Sequence, residues 1–165
     1  MSRDALPINA IDTCVFIGAI LPTPSETRQV CDRYIRRIGE TFRLSMTAPL
    51  AFEALALAKL NPKLGEDLLD FLIRLLRYPE NIVAHPRPSA FTCISALLAK
   101  DPRLDPLDAF HAAAAIDAKI PVFVTLDKDL LHSEVLKREG LLVLHPRELL
   151  GRQPRWPGGA GEHYG

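Results

Sequence analysis

Acidic residues follow two strand-like segments of this 165-residue sequence. Asp12 ends the apolar segment 8–12, and Asp127 comes directly after the most strongly apolar segment, 121–126. Ligands of open parallel sheets bind beyond the carboxyl ends of the strands. If these two strands are neighbours, the two carboxylates therefore meet at one edge of the sheet.

Two further acids fall near the starts of predicted helices. Glu53 lies among apolar residues shortly after Pro49, where a carboxylate costs free energy unless a partner compensates it. Asp108 is the third residue after a predicted N-cap, Asp105, and precedes the alanine run 112–115, whose small side chains allow a close approach to the sheet. The alternative for each of these acids is a structural role as a helix cap, a helix-dipole partner or a solvated side chain.

Acids gathered at one sheet edge would need a cation. Two carboxylates about 4 Å apart repel by roughly 1 kcal/mol in water and about 4 kcal/mol at an effective dielectric of about 20. Oxygen ligands of this kind suit Mg²⁺ or Mn²⁺. Such an ion can activate a bound water and offset charge on a phosphodiester, so the chemistry indicated is metal-assisted phosphodiester hydrolysis.

The elements that must position these acids alternate between strands and helices. The predicted strands cover residues 8–12, 42–46, 81–85, 121–126 and 141–144. The predicted helices run from a capping box at 23–26 to about 39, and over 49–60, 61–78, 89–100 and 105–119, with a short helix before the last strand. Strands separated by helices imply parallel strands with crossover connections. We therefore predict the α/β class, as a three-layer α/β/α sandwich with a five-stranded parallel sheet.

Composition limits the other possibilities. Apolar residues make up 48% and the formal net charge is zero, which fits a globular protein and excludes binding to nucleic acid through overall charge alone. The three cysteines form no C-x-x-C pair, which disfavours a disulfide framework or zinc site and favours a reducing, cytoplasmic location without a membrane span. We expect one domain over residues 1–150 and a disordered tail, rich in glycine and proline, over 151–165.

Four segments together resemble the motifs of PIN-domain nucleases. They are residues 11–17 (IDTCVFI), 49–55 (PLAFEAL), 108–115 (DAFHAAAA) and 124–130 (VTLDKDL). Their order and spacing also fit, and the resemblance covers roughly residues 7–150. It implies a Rossmann-like sheet with strand order 3-2-1-4-5 and a divalent-metal-dependent endoribonuclease. The subgroup it looks most like is the VapC-type toxins of type II toxin–antitoxin pairs, which implies a homodimer, an RNA substrate and a small antitoxin.

The resemblance also assigns roles within the site. It implies that Asp12, Glu53, Asp108 and Asp127 are the catalytic acids, with Asp12, Asp108 and Asp127 as ligands of Mg²⁺ or Mn²⁺. It further implies accessory hydroxyls at Thr13 and Thr125 and an accessory acid at Asp129. The family often has Asn where this chain has Cys14.

Other polar residues have structural interpretations. His111, one turn after Asp108, could touch the substrate, but a half-buried structural histidine is the favoured interpretation. An antitoxin is expected to dock along apolar grooves between the early helices, with Leu55, Leu72 and Leu76 as candidates.

Two other classes of function remain open at this point. A non-catalytic PIN-like domain could bind RNA or protein. A phosphoacceptor signalling domain also places aspartates at strand ends and binds Mg²⁺, but here no acidic doublet follows the first strand and His145 stands where a lysine would end the fifth.

Overall fold

The computed structural model describes residues 6–22, 24–78, 82–85 and 89–151. Within these residues the strands are β1 (Ile8–Ile11), β2 (Arg43–Thr47), β3 (Ile82–His85), β4 (Val122–Val124) and β5 (Leu142–Leu144). The helices are α1 (Thr13–Ile20), α2 (Glu26–Ile35), α3 (Ala48–Leu60), α4 (Pro62–Leu76), α5 (Ser89–Lys100), α6 (Pro106–Asp117), α7 (Lys128–Leu131), α8 (Glu134–Arg138) and α9 (Pro146–Leu150).

The five described strands form one parallel sheet in the order β3-β2-β1-β4-β5. This confirms the predicted class, strand number and strand order. β1 and β4 are neighbours with Ile11 opposite Val124, and the backbone N–H of Asp12 donates to the carbonyl of Val124 at 2.9 Å. The carboxyl ends of β1 and β4 therefore lie side by side.

Apolar side chains cover both faces of the sheet. Successive strand residues point to opposite faces, so Ile11 and Val124 join a core with residues of α1, α2 and α4, whereas Ala10 and Phe123 join a core with α5, α6 and α8. The buried alanines of α6 contribute no bulk on the sheet side. This lets α6, which carries Asp108, lie close against the strands.

Several predicted helix boundaries needed correction. The cap predicted at Thr23, which lies outside the described residues, was wrong: α2 begins after Ser25, because the Ser25 hydroxyl accepts from the Arg28 N–H at 3.1 Å. α2 also ends at Ile35 rather than near Gly39. The single short helix expected before β5 is two helices, α7 and α8. Helix α9 was not predicted, and its capping box is formed by His145 and Glu148.

Two other expectations concern the membrane and the tail. Among the described helices, none has both the length and the apolar character needed to cross a bilayer. The tail predicted over residues 151–165 lies outside the described residues except for Gly151.

Helices α3 and α4 pack closely against each other, and α3 carries Glu53. Asn61 caps α4 by accepting from the Leu64 N–H at 3.2 Å. Gly65 faces Ala58 so closely that a Cβ on Gly65 would lie 2.1 Å from the Ala58 Cα. Because the obstacle is backbone, the two helices could accept a larger side chain only by moving apart.

We predict that Gly65→Ala destabilises the protein by about 2 kcal/mol or more, as expected for an extra carbon in a filled contact. Gly151→Ala is the matched control, because nothing lies within 4 Å of its Cβ position. The control should change stability by less than about 1 kcal/mol. Urea unfolding measures both, and equal stabilities for the two variants would contradict the close contact.

Candidate active site

Asp12 and Asp127 follow β1 and β4, and each also caps the next helix. A carboxyl oxygen of Asp12 accepts from the Cys14 N–H at 3.4 Å at the start of α1. Asp127 Oδ1 accepts from the N–H groups of Asp129 and Leu130 at 2.6 Å and 3.2 Å at the start of α7. The predicted position at the sheet edge and the alternative role as a cap are therefore both present.

Glu53 and Asp108 reach the same place from helices. Asp105 caps α6 by accepting from the Leu107 N–H at 2.8 Å, which puts Asp108 in the first turn. All four predicted acids line one cavity of about 570 Å³. Its lining residues are Asp12, Thr13, Cys14, Ile17, Glu53, Ala56, Leu57, Leu60, Asp108, Leu126 and Asp127. Within the described part of the chain, this lining contains no lysine or arginine that would neutralise the acids.

Asp12 is held mainly through Oδ2, since the bond from the Cys14 N–H to Oδ1 is long at 3.4 Å. Its Oδ2 accepts from the Thr125 hydroxyl at 2.6 Å and from the Cys14 thiol at 2.9 Å. Burial, followed by the charge and hydrogen bonding of Asp12, raises the pKa of Cys14 well above its usual range, so this thiol stays protonated and donates. Cys14 thus supplies a hydrogen-bond donor at the position where the resembled family often has Asn.

Glu53 is held in the same manner from two sides. Its Oε2 accepts from the Thr13 hydroxyl and lies 3.0 Å from His111 Nε2. Burial acts to raise the pKa of Glu53, but the hydrogen bonds from His111 and Thr13 outweigh it and the pKa is lowered. Glu53 is therefore ionised at neutral pH although it is half-buried.

In Asp12, Glu53 and Asp127, the strong hydrogen bonds from the protein reach only one of the two carboxyl oxygens. Asp12 Oδ1 receives only the long bond from Cys14 N–H, and among the described residues no hydrogen bond reaches Glu53 Oε1 or Asp127 Oδ2. One oxygen of each carboxylate fixes its orientation. The other remains available to whatever enters the cavity.

Among the described residues none donates a hydrogen bond to the Asp108 carboxyl group, and the pKa of Asp108 shows the consequence. Burial is the largest cause, and the charges of Asp12 and Asp127 add to it, raising the pKa of Asp108 to about 7. The interaction with His111 acts in the opposite direction, but it is the smallest of these influences on the pKa of Asp108. The cavity therefore holds more negative charge than this fold stabilises by itself.

The donor set fits a hard divalent cation that keeps part of its water shell. In the described part of the chain, no three or more histidine, cysteine, aspartate or glutamate side chains form a group that could hold a metal ion. Mg²⁺ is usually bound by one or two carboxylates and retains several waters. Carboxylate oxygens that line an open cavity fit this mode of Mg²⁺ binding. They do not resemble a structural zinc site, which is enclosed by four ligands.

The structure also shows where the accessory residues lie. Thr13 and Thr125 contact Glu53 and Asp12 respectively, as their predicted accessory roles require. Asp129 contacts the site only through its backbone N–H, which bonds to Asp127; its exposed side chain is not part of the cavity lining. The prediction of an accessory acid at Asp129 is therefore not supported by its position.

His111 is the site residue whose contacts the sequence did not reveal. It was expected to be half-buried, yet it is 2% exposed and bonded to Glu53. Its spacing of one helical turn from Asp108 was the available signal. That spacing showed a shared face, but not that α3 would bring Glu53 to the same face.

Comparison with known proteins agrees with this geometry. The family model of the PIN domain matches residues 10–135, which is most of the chain. The chain belongs to the PIN domain family, whose members are generally metal-dependent nucleases.

A solved structure shares the fold. A chain in the crystal structure of FitAcB from Neisseria gonorrhoeae aligns with a TM-score of 0.58 and 20% sequence identity, covering 84% of this chain and 98% of that chain. At this identity the likeness concerns the fold. No curated protein matches the chain.

The raised pKa of Asp108 predicts a pH-dependent stability in the absence of divalent cations. The folded protein keeps the proton up to a pH of about 7, whereas the unfolded chain releases it near 3.8. The stability contributed by this proton is complete below pH 3.8 and is lost as the pH rises through about 7.

Asp108→Asn removes this titration, so its melting temperature relative to wild type should rise between pH 5 and pH 8. Thermal unfolding in EDTA measures the difference, with the exposed Asp70→Asn as a matched control. A difference between Asp108→Asn and wild type that does not change with pH would contradict the electrostatic strain at Asp108.

Proposed function

We propose that this protein is a divalent-metal-dependent endoribonuclease and the toxin of a type II toxin–antitoxin pair. The observation that carries the proposal is the cavity in which Asp12, Glu53, Asp108 and Asp127, from four separate parts of the fold, meet without a basic residue in the described lining. Membership of the PIN domain family supports the nuclease. The fold shared with FitAcB, a toxin–antitoxin complex, supports the toxin.

Asp12, Asp108 and Asp127 are the residues that would hold Mg²⁺ or Mn²⁺, once their side chains draw closer together than the described arrangement, in which no three such side chains form a ligand group. When bound, the cation supplies a water of lowered pKa and offsets negative charge on the phosphodiester. Asp12 Oδ1 and Asp127 Oδ2 are the oxygens left for it, since the opposite oxygens are engaged by the protein. Asp108 must release its proton to join them, because a carboxylic acid is a poor ligand compared with a carboxylate.

Glu53 acts on water in the cavity rather than on the cation in this scheme. Its Oε1 can accept a hydrogen bond from a water that attacks the phosphorus, and its lowered pKa keeps the carboxylate ready to do so. The carboxylate is oriented for this purpose by Thr13 and His111, which both bond Oε2. No protein atom is a nucleophile, so no covalent intermediate forms.

The antitoxin would occupy a second groove, away from the acids. This groove of about 400 Å³ lies between α1, α2 and α4. Its lining residues are Ala19, Ile20, Asp32, Ile35, Arg36, Ile38, Phe71, Arg74, Leu75 and Tyr78. The apolar floor suits the apolar face of an amphipathic helix. Arg36 is paired with Asp32 at 2.8 Å, so Arg74 is the arginine that would meet an acidic residue at the edge of such a helix. Of the candidates expected from the sequence, Leu55 and Leu76 are exposed, whereas Leu72 belongs to the core and was wrongly assigned to a docking surface.

A homodimer is also part of the proposal, on the basis of the family resemblance. Exposed apolar side chains on α3 and α4, among them Phe52, Leu55, Leu60 and Ile73, are consistent with it. A cytoplasmic location likewise remains a proposal from cysteine usage.

The decisive test is cleavage of RNA by the purified protein freed of any antitoxin. Wild type should cleave single-stranded RNA with Mg²⁺ or Mn²⁺ and stop in EDTA. Asp12→Asn, which keeps the helix cap but loses the charge, should lower kcat by roughly 10²–10⁴-fold, since several kcal/mol of transition-state stabilisation depend on the cation. Asp70→Asn makes the same chemical change on an exposed part of α4 and should leave kcat unchanged.

Undiminished cleavage by a folded Asp12→Asn variant would refute the assignment of the site. Metal-dependent binding of RNA without cleavage by wild type would favour the non-catalytic alternative.

The toxin role has a separate test in growing bacteria. Induced expression of wild type should arrest growth, whereas expression of Asp12→Asn to the same level should not, because the arrest depends on RNA hydrolysis. Growth curves with immunoblots of protein level provide the measurement. Equal arrest by both proteins would show that toxicity, if present, does not come from this cavity.

A further inference from the structure

His111 is a buried histidine with both ring nitrogens engaged. Nδ1 lies 2.6 Å from the Thr47 hydroxyl and Nε2 lies 3.0 Å from Glu53 Oε2. The three residues come from the end of β2, from α3 and from α6. The ring therefore ties the sheet edge to the two helices that supply Glu53 and Asp108.

The Thr47 side chain contacts His111 and does not cap helix α3. It is the N-cap residue of α3, where a threonine hydroxyl ordinarily accepts a hydrogen bond from a backbone N–H of the first turn. Here the side chain makes no capping bond and is turned to His111 instead. Helix α3 therefore lacks a side-chain capping bond from Thr47. In return, Thr47 fixes the His111 ring at the nitrogen opposite the one that bonds Glu53.

The chemistry of the partners determines where the ring proton lies. An ionised Glu53 can only accept, so the hydrogen in the bond between His111 and Glu53 sits on Nε2. Nδ1 bonds the Thr47 hydroxyl in either state of the ring, accepting from it when the ring is neutral and donating to it when the ring is protonated. Thr13 donates to the same Glu53 oxygen from α1. The ring therefore donates to Glu53 from one nitrogen and is bonded to Thr47 through the other.

We propose that His111 is a positioning residue, which, with Thr47 behind it, holds Glu53 through Oε2 and leaves Oε1 free for a water in the cavity. This inference rests on the proposed ribonuclease function and adds a residue to its machinery. His111 does not itself line the cavity. Without it, Glu53 would keep Thr13 as a single anchor, and its partly exposed side chain could turn away from the attacking water.

Two variants, each of which keeps a polar atom near the position of one ring nitrogen, test the bonds to Glu53 and to Thr47 separately. The side-chain amide nitrogen of Gln stands as many bonds from Cβ as Nε2 does, so His111→Gln can still donate to Glu53 while losing Thr47. The amide group of Asn corresponds to the Nδ1 position, so His111→Asn can still bond Thr47 but no longer reaches Glu53.

We expect His111→Gln to retain kcat within about threefold and His111→Asn to lower it by about 10–100-fold, with KM within about twofold in both, as for a misplaced catalytic group. The exposed His132→Asn is the matched control and should behave as wild type. Tyr34→Phe serves as a structural comparator, because it loses a buried bond from Asn9 Nδ2 at 2.8 Å outside the site. It should lower the melting temperature without changing kcat.

Equal losses of kcat in the Gln and Asn variants, in proportion to their melting temperatures, would overturn the positioning role in favour of a purely structural one. Full kcat in a folded His111→Asn variant would overturn it as well.

A spectroscopic measurement on the metal-free wild-type protein does not depend on activity. Long-range ¹H–¹⁵N spectra of the histidine rings at neutral pH should show His111 with a protonated Nε2, and the Nε2 signal should shift in Glu53→Gln. A bare Nε2 in a protein that cleaves RNA would refute the positioning role and leave the proposed function standing. A protonated Nε2 in a wild type that cleaves no RNA would refute the proposed function, and the kinetic role of His111 with it.

Discussion

Repulsion between carboxylates is the constraint on which the rest of this structure depends. The fold brings four acids to one cavity and provides hydrogen bonds, rather than cations, to hold them. Three of the acids are stabilised because each has one oxygen surrounded by donors. The fourth, Asp108, has no comparable support, and the remaining repulsion, together with burial, appears as its raised pKa. The hydrogen bonds that orient these carboxylates leave their other oxygens available in a common cavity, as binding of a cation requires.

The sheet explains why this arrangement could be foreseen in outline. Parallel strands end at one edge, so the aspartates that follow β1 and β4 had to be close once those strands were neighbours. Capping rules also placed Asp108 in the first turn of α6, because Asp105-Pro106 is a strong helix start. These are local or topological features, and a single sequence contains the information for them.

The contacts that refine the site depend on tertiary packing and could not be foreseen. Nothing in the sequence pairs Thr47 with His111, because the contact joins residues 64 positions apart and replaces the capping bond that local rules predict. The role of the Cys14 thiol depends likewise on Thr125 and Leu126, which β4 brings beside it. The start of α2 was also predicted at the wrong residue. Thr23 and Ser25 are both residue types that cap helices, and the bond from the Arg28 N–H identifies Ser25 as the N-cap.

The double use of Asp12 and Asp127 has a consequence for how such a protein can change. Neutralising a crowded acid usually makes a protein more stable, since it relieves repulsion. Here each of these side chains also begins a helix, so most replacements that remove the charge also remove the start of α1 or α7. Relief of the repulsion is thus offset by loosening of the backbone. A lineage that lost the activity would gain little robustness by discarding these acids, and they could persist in the chain after the activity itself had gone.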